Sequence, residues 1–155
     1  MLPNYVRLLF VDFSSAFNTI IPSNLHVKLM DLGFPDSLNH WILDVLLQRR
    51  QVVKVENHIS QPLILNTGTP HGCPISPKLY SLFTYDCATE DQKRLIVKFA
   101  DDTTAAGLIS HNDETNYRAM VSEPAEWCDN NLLLNVTKTK EMVIDFKTNK
   151  SPIEP

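Results

Sequence analysis

The sequence has few cysteines, no excess of basic residues and no long apolar run, and each shortage excludes a class of protein. Its three cysteines, Cys73, Cys87 and Cys128, are an odd number and include no C-x-x-C pair. This pattern argues against a disulfide framework and a zinc site, and it favours a reducing intracellular compartment. No run of about 18 apolar residues is present, so no transmembrane helix is expected. The N-terminus lacks a small-residue cleavage site, so no signal peptide is predicted.

Basic residues are outnumbered by acidic ones, 14 against 18, which gives a formal net charge of −4. Free-standing nucleic-acid-binding domains are usually basic, so this balance argues against one. It is compatible with an enzyme that acts on nucleic acid through metal ions held by carboxylates. Seven of the 14 basic residues gather in three short stretches, 48–54, 92–94 and 137–140, which are simplest to interpret as solvated surface.

The pattern along the chain predicts one α+β domain with a small, largely antiparallel sheet and helices packed on one face. Its 155 residues, of which 43% are hydrophobic, suffice for a sizeable core. The predicted elements, in order, are a strand (7–13), two helices (23–33 and 35–48), a hairpin turning at Asn57 (50–65), a shaped loop (66–77), a helix (78–88), a second hairpin (94–109), a helix (113–131) and a strand (141–146).

Three of these elements carry more specific expectations. The strand 7–13 is almost wholly apolar, which predicts burial on both of its faces. Pro124 lies inside the helix 113–131 and predicts a kink or a break there, because an interior proline costs a helix about 3 kcal/mol. The helix 35–48 has an apolar stripe that predicts its buried face, formed by Leu38, Trp41, Ile42, Val45 and Leu46.

Asp101 and Asp102 stand side by side where two predicted strands meet, with no lysine or arginine directly beside them. Asp12 ends another apolar strand. If these strands are neighbours in one sheet, three carboxylates meet at one edge, where they repel unless cations are bound. Mg²⁺ commonly takes one or two carboxylates plus substrate phosphates. An Asp-Asp pair at a hairpin is also ordinary turn chemistry, so both interpretations stay open.

Four segments in order resemble motifs A to D of a reverse transcriptase palm: FVDFSSAFNTI (10–20), TGTPHGCPISP (67–77), KFADD (98–102) and WCDNNLLLNVTKTKEMVIDF (127–146). The amino-acid sequences of these segments are similar to those of reverse transcriptases from LINE-type (non-LTR) retrotransposons. The resemblance implies a polymerase palm, RNA-directed DNA polymerase activity with two Mg²⁺ ions or Mn²⁺, and an RNA template, a DNA primer and dNTPs as partners. It also implies an intracellular location, in cytoplasm and nucleus.

The resemblance assigns a metal-binding role to four of these positions. Asp12 and Asp101 would ligate both ions, with Asp102 as a weaker or outer ligand. The backbone carbonyl of Phe13 would complete a metal site. Lys138 matches the motif D lysine that protonates the pyrophosphate leaving group, a role open to general acid catalysis; the alternative is an ordinary surface lysine.

The resemblance also assigns nucleotide and template contacts. Phe17, five residues after Asp12, matches the steric gate that disfavours a ribose 2′-OH; the alternative is an ordinary core aromatic. The motif B loop allows the template base and the incoming nucleotide to approach its backbone, and its matching residues are Gly68, Pro70, His71 and Gly72.

Departures from the family pattern leave the activity open. His71 stands where glutamine is usual, Pro74 and Lys78 stand where apolar residues are usual, and Pro124 interrupts a normally continuous helix. No segment matches the fingers or the thumb, so the resemblance implies a partial reverse transcriptase domain over 1–147, a disordered tail over 148–155 and weak nucleic-acid binding.

Three hypotheses therefore stand. The chain is a polymerase palm with its catalytic aspartates intact, or a catalytically inactive retroelement remnant that folds but does not polymerise. The third is a small α+β protein-binding domain in which the aspartate pair is incidental. The isolated chain is expected to show no primer extension.

Overall fold

The computed structural model describes residues 4–87 and 94–146. They form two compact units, the first made of 4–14, 87, 94–130 and 134–146, the second of Ser15–Asp86 and Asn131–Leu133. The predicted tail, 148–155, lies outside the described residues. No helix within the described ranges is long and apolar enough to span a membrane.

The elements follow the predicted order. They are β1 (Tyr5–Val11), α1 (Ala16–Thr19), α2 (Pro22–Asp31), α3 (Asp36–Leu46), β2 (Arg49–Gln51), β3 (Lys54–Val55), β4 (His58–Ile59), β5 (Leu63–Leu65), α4 (Ser76–Phe83), β6 (Arg94–Phe99), β7 (Asp102–Ile109), α5 (Thr115–Asn131) and β8 (Lys140–Asp145).

The first unit is built on a four-stranded sheet in the order β6-β7-β1-β8, in which every neighbouring pair is antiparallel. This confirms the α+β fold with a largely antiparallel sheet. Side chains alternate between the faces of a strand, and in β1 Tyr5 and Val11 are buried while Phe10 is 40% exposed. The prediction of burial on both faces of this strand is therefore wrong, because only one face is fully covered.

The covered face of the sheet packs against α5. Tyr117 and Met120 of the helix form one core cluster with Tyr5, Ala105 and Ile109 of the strands. Gly107 allows the close approach, since a Cβ at that position would lie 2.6 Å from Cδ2 of Tyr117.

The prediction for Pro124 is a kink or a break. The helix α5 is continuous through Pro124, so a break is wrong, and the kink stays a prediction. The missing N–H and the ring of an interior proline cost a helix about 3 kcal/mol. Burial of Tyr117 and Met120 on the same helix offsets that cost, because each fully buried large side chain contributes about 1.5–3 kcal/mol.

Arg7 is the polar exception on the buried face of β1, with a side chain only 4% exposed. Its guanidinium donates to Glu114 Oε1 at 2.8 Å and to Glu141 Oε2 at 2.9 Å. The Tyr5 hydroxyl donates to the same Glu114 oxygen at 2.6 Å, and the Tyr117 hydroxyl donates to Glu141. A buried charge is tolerated when it is paired and hydrogen-bonded, so this network ties β1 to β8 and to the residue before α5.

The second unit is mainly helical, and its core departs from the predicted stripe of α3. Ile42 and Leu46 are buried as expected, but Trp41 is 52% exposed and Asn39 is fully buried. The Asn39 side chain donates to the carbonyl of His26 in α2 at 3.2 Å, so a polar contact between the helices takes a place that the hydrophobic pattern did not predict.

The predicted hairpin 50–65 is present as two short ladders. β2 pairs with β5, and β3 pairs with β4 across a two-residue loop of Glu56 and Asn57. The helix 23–33 ends as expected at a glycine: Gly33 has a φ of 77°, and its amide donates to the Met30 carbonyl at 2.9 Å.

The buried ion network makes the first unit sensitive to acid. Hydrogen bonds from Tyr5, Arg7 and Arg118 lower the pKa of Glu114. A carboxylate whose folded pKa lies below its unfolded value of about 4.3 stabilises the fold above that pH, and the stabilisation is lost as the pH falls through the folded pKa. We expect Glu114→Gln to lower the free energy of unfolding by about 3 kcal/mol at neutral pH and to weaken its dependence on acid. Urea denaturation at a series of pH values measures both.

Arg118→Gln is the matched control. Arg118 pairs with the same glutamate at 3.0 Å, but its side chain is 71% exposed, so its loss should cost less than about 1 kcal/mol. A Glu114→Gln variant as stable and as acid-sensitive as the parent chain would show that the network does not stabilise the fold.

Candidate active site

The register of the central strands brings three aspartates to one end of the sheet. Val11, the last residue of β1, pairs with Thr103 of β7. The next residues beyond this pair are Asp12 on one strand and Asp102 on the other. Asp101 precedes Asp102 in the loop that joins β6 to β7. The strand pairing thus places the three acidic positions at the same sheet end.

The loop that carries Asp101 is tight and strained. Phe99 pairs with Asp102, which leaves only Ala100 and Asp101 between the strands. Ala100 has a φ of 53°, in the left-handed region, which costs a residue with a Cβ roughly 1–2 kcal/mol. Such strain persists where the surrounding structure imposes it and is frequent at functional sites. Here it fixes the backbone directly before Asp101.

The donors at this end of the sheet suit a hard divalent cation. The Asp12 side chain is 37% exposed, and Asp101 and Asp102 are exposed. Within residues 4–87 and 94–146, no three His, Cys, Asp or Glu side chains are grouped so that they could hold a metal ion by themselves. Because Mg²⁺ is usually held by one or two carboxylates together with substrate phosphates, these aspartates fit an ion that binds with a nucleotide.

A turn after α5 holds Asp12 from the other side. The Asn135 amide donates to the Asp12 carbonyl at 2.8 Å, and the Asp12 amide donates to Thr139 Oγ1 at 3.4 Å. The same turn places Lys138 Nζ at 4.0 Å from Asp12 Oδ2. Asp12 therefore has a cation nearby, although none is adjacent to it in the sequence. This contact joins residues that are more than a hundred positions apart.

Phe13 is 6% exposed and forms an isolated bridge with Leu134. The hydrogen bond that closes this bridge goes to the carbonyl of Asp12, not to that of Phe13. The bridge hydrogen bond therefore leaves the Phe13 carbonyl, which the resemblance assigns to a metal, unused.

In the second unit, Phe17 of α1 is half-buried and lines a cavity of about 360 Å³. Its ring packs on Tyr80 of α4, with centroids 4.8 Å apart and planes tilted by 39°. Pro70, His71 and Gly72 line the same cavity. Phe17 is thus a packing aromatic that also forms part of a cavity wall.

The loop 66–77 is joined to α1 through backbone hydrogen bonds. The Gly68 amide donates to the Ile20 carbonyl at 2.7 Å, and the Thr69 amide donates to the Phe17 carbonyl at 2.8 Å. A Cβ on Gly68 would lie 2.6 Å from Asn18 Cα. Glycine is required here because two backbones meet, a reason that the sequence pattern alone did not provide.

The remaining loop residues are held in different ways. The Pro70 carbonyl accepts a 2.7 Å hydrogen bond from the Ser76 hydroxyl at the start of α4. His71 Nε2 donates to Asn18 Oδ1 at 2.7 Å, although His71 is exposed. Gly72 has a φ of 74°, and nothing lies within 4 Å of the position of its missing Cβ.

The sequence profile of one family, described as reverse transcriptase (RNA-dependent DNA polymerase), matches residues 2–153. That range is nearly the whole chain. The chain belongs to the reverse transcriptase family.

A curated relative within this family comes from a transposon. The chain is 30% identical over 156 residues to the probable RNA-directed DNA polymerase from transposon BS of Drosophila melanogaster. The match covers 93% of this chain but only 17% of that protein. The chain therefore spans about a sixth of the length of the relative, and the resemblance to a retrotransposon reverse transcriptase is confirmed.

Solved telomerase structures share the fold of this reverse transcriptase chain. A Candida tropicalis telomerase in complex with a fragment of telomeric RNA matches with a TM-score of 0.74 at 9% identity, over 92% of this chain and 26% of that one. A Candida albicans telomerase matches with a TM-score of 0.69 at 14% identity, over 99% of this chain and 30% of that one. At such identities the likeness concerns the fold alone.

The close approach of Gly68 to α1 predicts a large effect of a single methyl group. We expect Gly68→Ala to lower the free energy of unfolding by about 3 kcal/mol or more, since it adds a backbone clash to the strain of a positive φ. Thermal or urea denaturation followed by circular dichroism measures the loss.

Gly72→Ala is the matched variant. Gly72 also has a positive φ, but no atom lies within 4 Å of the position that the added Cβ would occupy. Its cost should be only about 1–2 kcal/mol. Equal losses for the two variants would contradict the role assigned to the contact between Gly68 and Asn18.

Proposed function

We propose that this chain is part of an RNA-directed DNA polymerase and that the aspartate end of its sheet is the nucleotidyl-transfer centre. The observation that carries this proposal is the register between β1 and β7, which ends with Val11 opposite Thr103 and so brings Asp12 and Asp102 to the same sheet end as the strained loop of Asp101. Membership of the reverse transcriptase family supports the assignment.

Asp12 and Asp101 would hold two Mg²⁺ ions through their carboxylates, with the Phe13 carbonyl as a further oxygen donor and Asp102 as an outer ligand. Such ions, when bound, would stabilise the charge of the triphosphate and activate the 3′-hydroxyl of the primer. The protein side chains would contribute position and charge, without a covalent intermediate.

Lys138 would supply the proton for the pyrophosphate leaving group. Its ammonium lies 4.0 Å from an Asp12 carboxylate oxygen, and its side chain is 71% exposed. A proton donor needs to come within hydrogen-bond reach of the oxygen that it protonates. An exposed lysine on a turn whose backbone is bonded to Asp12 is suited to that reach.

In the second unit, the cavity beside Phe17 would contact the nucleotide. The Phe17 ring would act as the steric gate against a ribose 2′-OH, and Gly68, Pro70, His71 and Gly72 would form the surface toward nucleotide and template. The proposed partners are an RNA template, a DNA primer and dNTPs, and the proposed locations are the cytoplasm and the nucleus.

Binding of Mn²⁺ in the presence of a dNTP tests the proposed centre on this chain directly. Mn²⁺ can be followed by electron paramagnetic resonance with and without dTTP. We expect dTTP to strengthen Mn²⁺ binding, and we expect Asp12→Asn and Asp101→Asn each to weaken it by about tenfold or more, as loss of metal-site residues commonly does.

Asp44→Asn, a change of an exposed carboxylate in α3, removes the same charge elsewhere and should leave binding unchanged. Mn²⁺ binding that is unchanged in Asp12→Asn and Asp101→Asn would refute the proposed centre, and so would equal weakening by Asp44→Asn.

The second candidate is a retroelement remnant that keeps the fold but does not polymerise. One contact favours it: His71, which replaces the usual motif B glutamine, is bonded to Asn18 within its own unit. Primer extension on an RNA template tests this candidate, which predicts none. Extension that Asp101→Asn abolishes would refute the remnant hypothesis.

A further inference from the structure

The four-stranded sheet has an apolar face that points away from α5. Tyr5 of β1 and Ala105 of β7 lie in the core cluster on the α5 side, so the alternate residues of each strand belong to the opposite face, here called the open face. Cross-strand pairing sets these residues side by side, with Val97 opposite Thr104 and Thr104 opposite Phe10. Six large apolar residues of the open face are 40–80% exposed: Phe10, Leu95, Val97, Phe99, Leu108 and Met142.

The open face is large for an apolar surface exposed to water. The exposed fractions of its six residues correspond to roughly 700 Å², above the 300–600 Å² or so that is typical of the largest apolar patch on a monomer. A protein–protein interface of standard size buries about 800 Å² of each partner. The open face therefore has about the area that a stable interface between two copies of the chain needs.

The charged residues of the open face lie at one end of the sheet and have opposite signs. Lys140 of β8 pairs with Phe10, and Asp102 of β7 pairs with Phe99, so both charges are at the end that carries Asp101. No other residue of these four strands on the open face is charged. Lys140 lies on one outer strand, whereas the acidic loop joins β7 to the other outer strand, β6.

We propose that two copies of the chain pack their open faces against each other around a twofold axis parallel to the strands. Sheets that pack face to face keep their strands within about 30° of each other at a distance of about 10 Å. This axis lays β8 of each copy over β6 of the other and keeps the same ends together, so Lys140 comes near the acidic loop of the second copy. An axis across the strands would instead set Lys140 over the apolar end.

A symmetric dimer of this kind uses one surface twice, so a single self-complementary face is sufficient to form it. The apolar residues would supply the buried area, and the two contacts between Lys140 and the acidic loop would fix the orientation. The inference goes beyond the proposed function and does not rest on it, because it requires neither a metal ion nor a nucleotide.

Sedimentation equilibrium of the full chain at about 1–100 μM tests the proposal. We expect a reversible equilibrium between monomer and dimer within that range, as for other interfaces of this size. A monomer at every concentration would overturn the proposal and leave the open face to a different partner. Association without a limit at two copies would also overturn it, because a twofold interface is closed.

Leu108→Lys places a charge within the open face. We expect it to raise the dissociation constant of the dimer about thirtyfold or more, because burial of an unpaired ammonium is costly at the centre of an interface. Val97→Lys on the neighbouring strand is a second variant with the same expected effect. Leu108 is 64% exposed, so its replacement leaves the core intact, and circular dichroism checks that the fold is retained.

Ile59→Lys is the matched control, since Ile59 is 65% exposed on β4 of the second unit. It makes the same kind of change outside the open face and should leave the dissociation constant unchanged. Equal weakening by Leu108→Lys and Ile59→Lys would refute the open face as the interface, and so would a dimer that Leu108→Lys and Val97→Lys leave unaffected.

Lys140→Glu tests the direction of the axis. It would set like charges against each other, so we expect it to raise the dissociation constant about fivefold or more at low salt. Lys54→Glu reverses an exposed charge on β3 of the second unit and should have little effect. A dimer that Leu108→Lys dissociates but Lys140→Glu leaves unchanged would refute the axis parallel to the strands.

Discussion

The antiparallel register between β1 and β7 is the constraint on which the first unit depends. Side chains alternate along a strand, so a slip by one residue would turn the buried face of β1 outward. Arg7 would lose its two carboxylates, and Tyr5 would leave the core. Asp12 would no longer follow a residue paired with Thr103. Core stability and the placement of the aspartates therefore have one common origin.

Much of the fold could be predicted from local patterns, because apolar periodicity and turn residues act within a few positions. The order of strands and helices, the loop at Asn57 and the helix end at Gly33 follow from such patterns. The burial of Arg7 and Asn39 could not be predicted, since each depends on partners far along the chain. For the same reason, the packing that carries α5 through Pro124 was not predictable.

The candidate site likewise has features that the sequence predicts and features that it does not. Four motifs in order were sufficient to predict the candidate site residues, including Asp12, Asp101 and Phe17. The contacts that hold those residues in place could not be read from the motifs. The 4.0 Å approach of Lys138 to Asp12 depends on the turn at Asn135, and the need for glycine at position 68 depends on a backbone fifty residues earlier.

The central claim is that strand register assembles a divalent-metal site from Asp12 and Asp101. The most direct measurement is a crystal structure of the chain with Mn²⁺ and a non-hydrolysable dNTP, with anomalous differences collected for manganese. The account predicts a manganese peak between the two carboxylates and a separation of less than about 8 Å between them, as two ions about 3.5–4 Å from each other require. A greater separation, or no manganese at this end of the sheet, would contradict it.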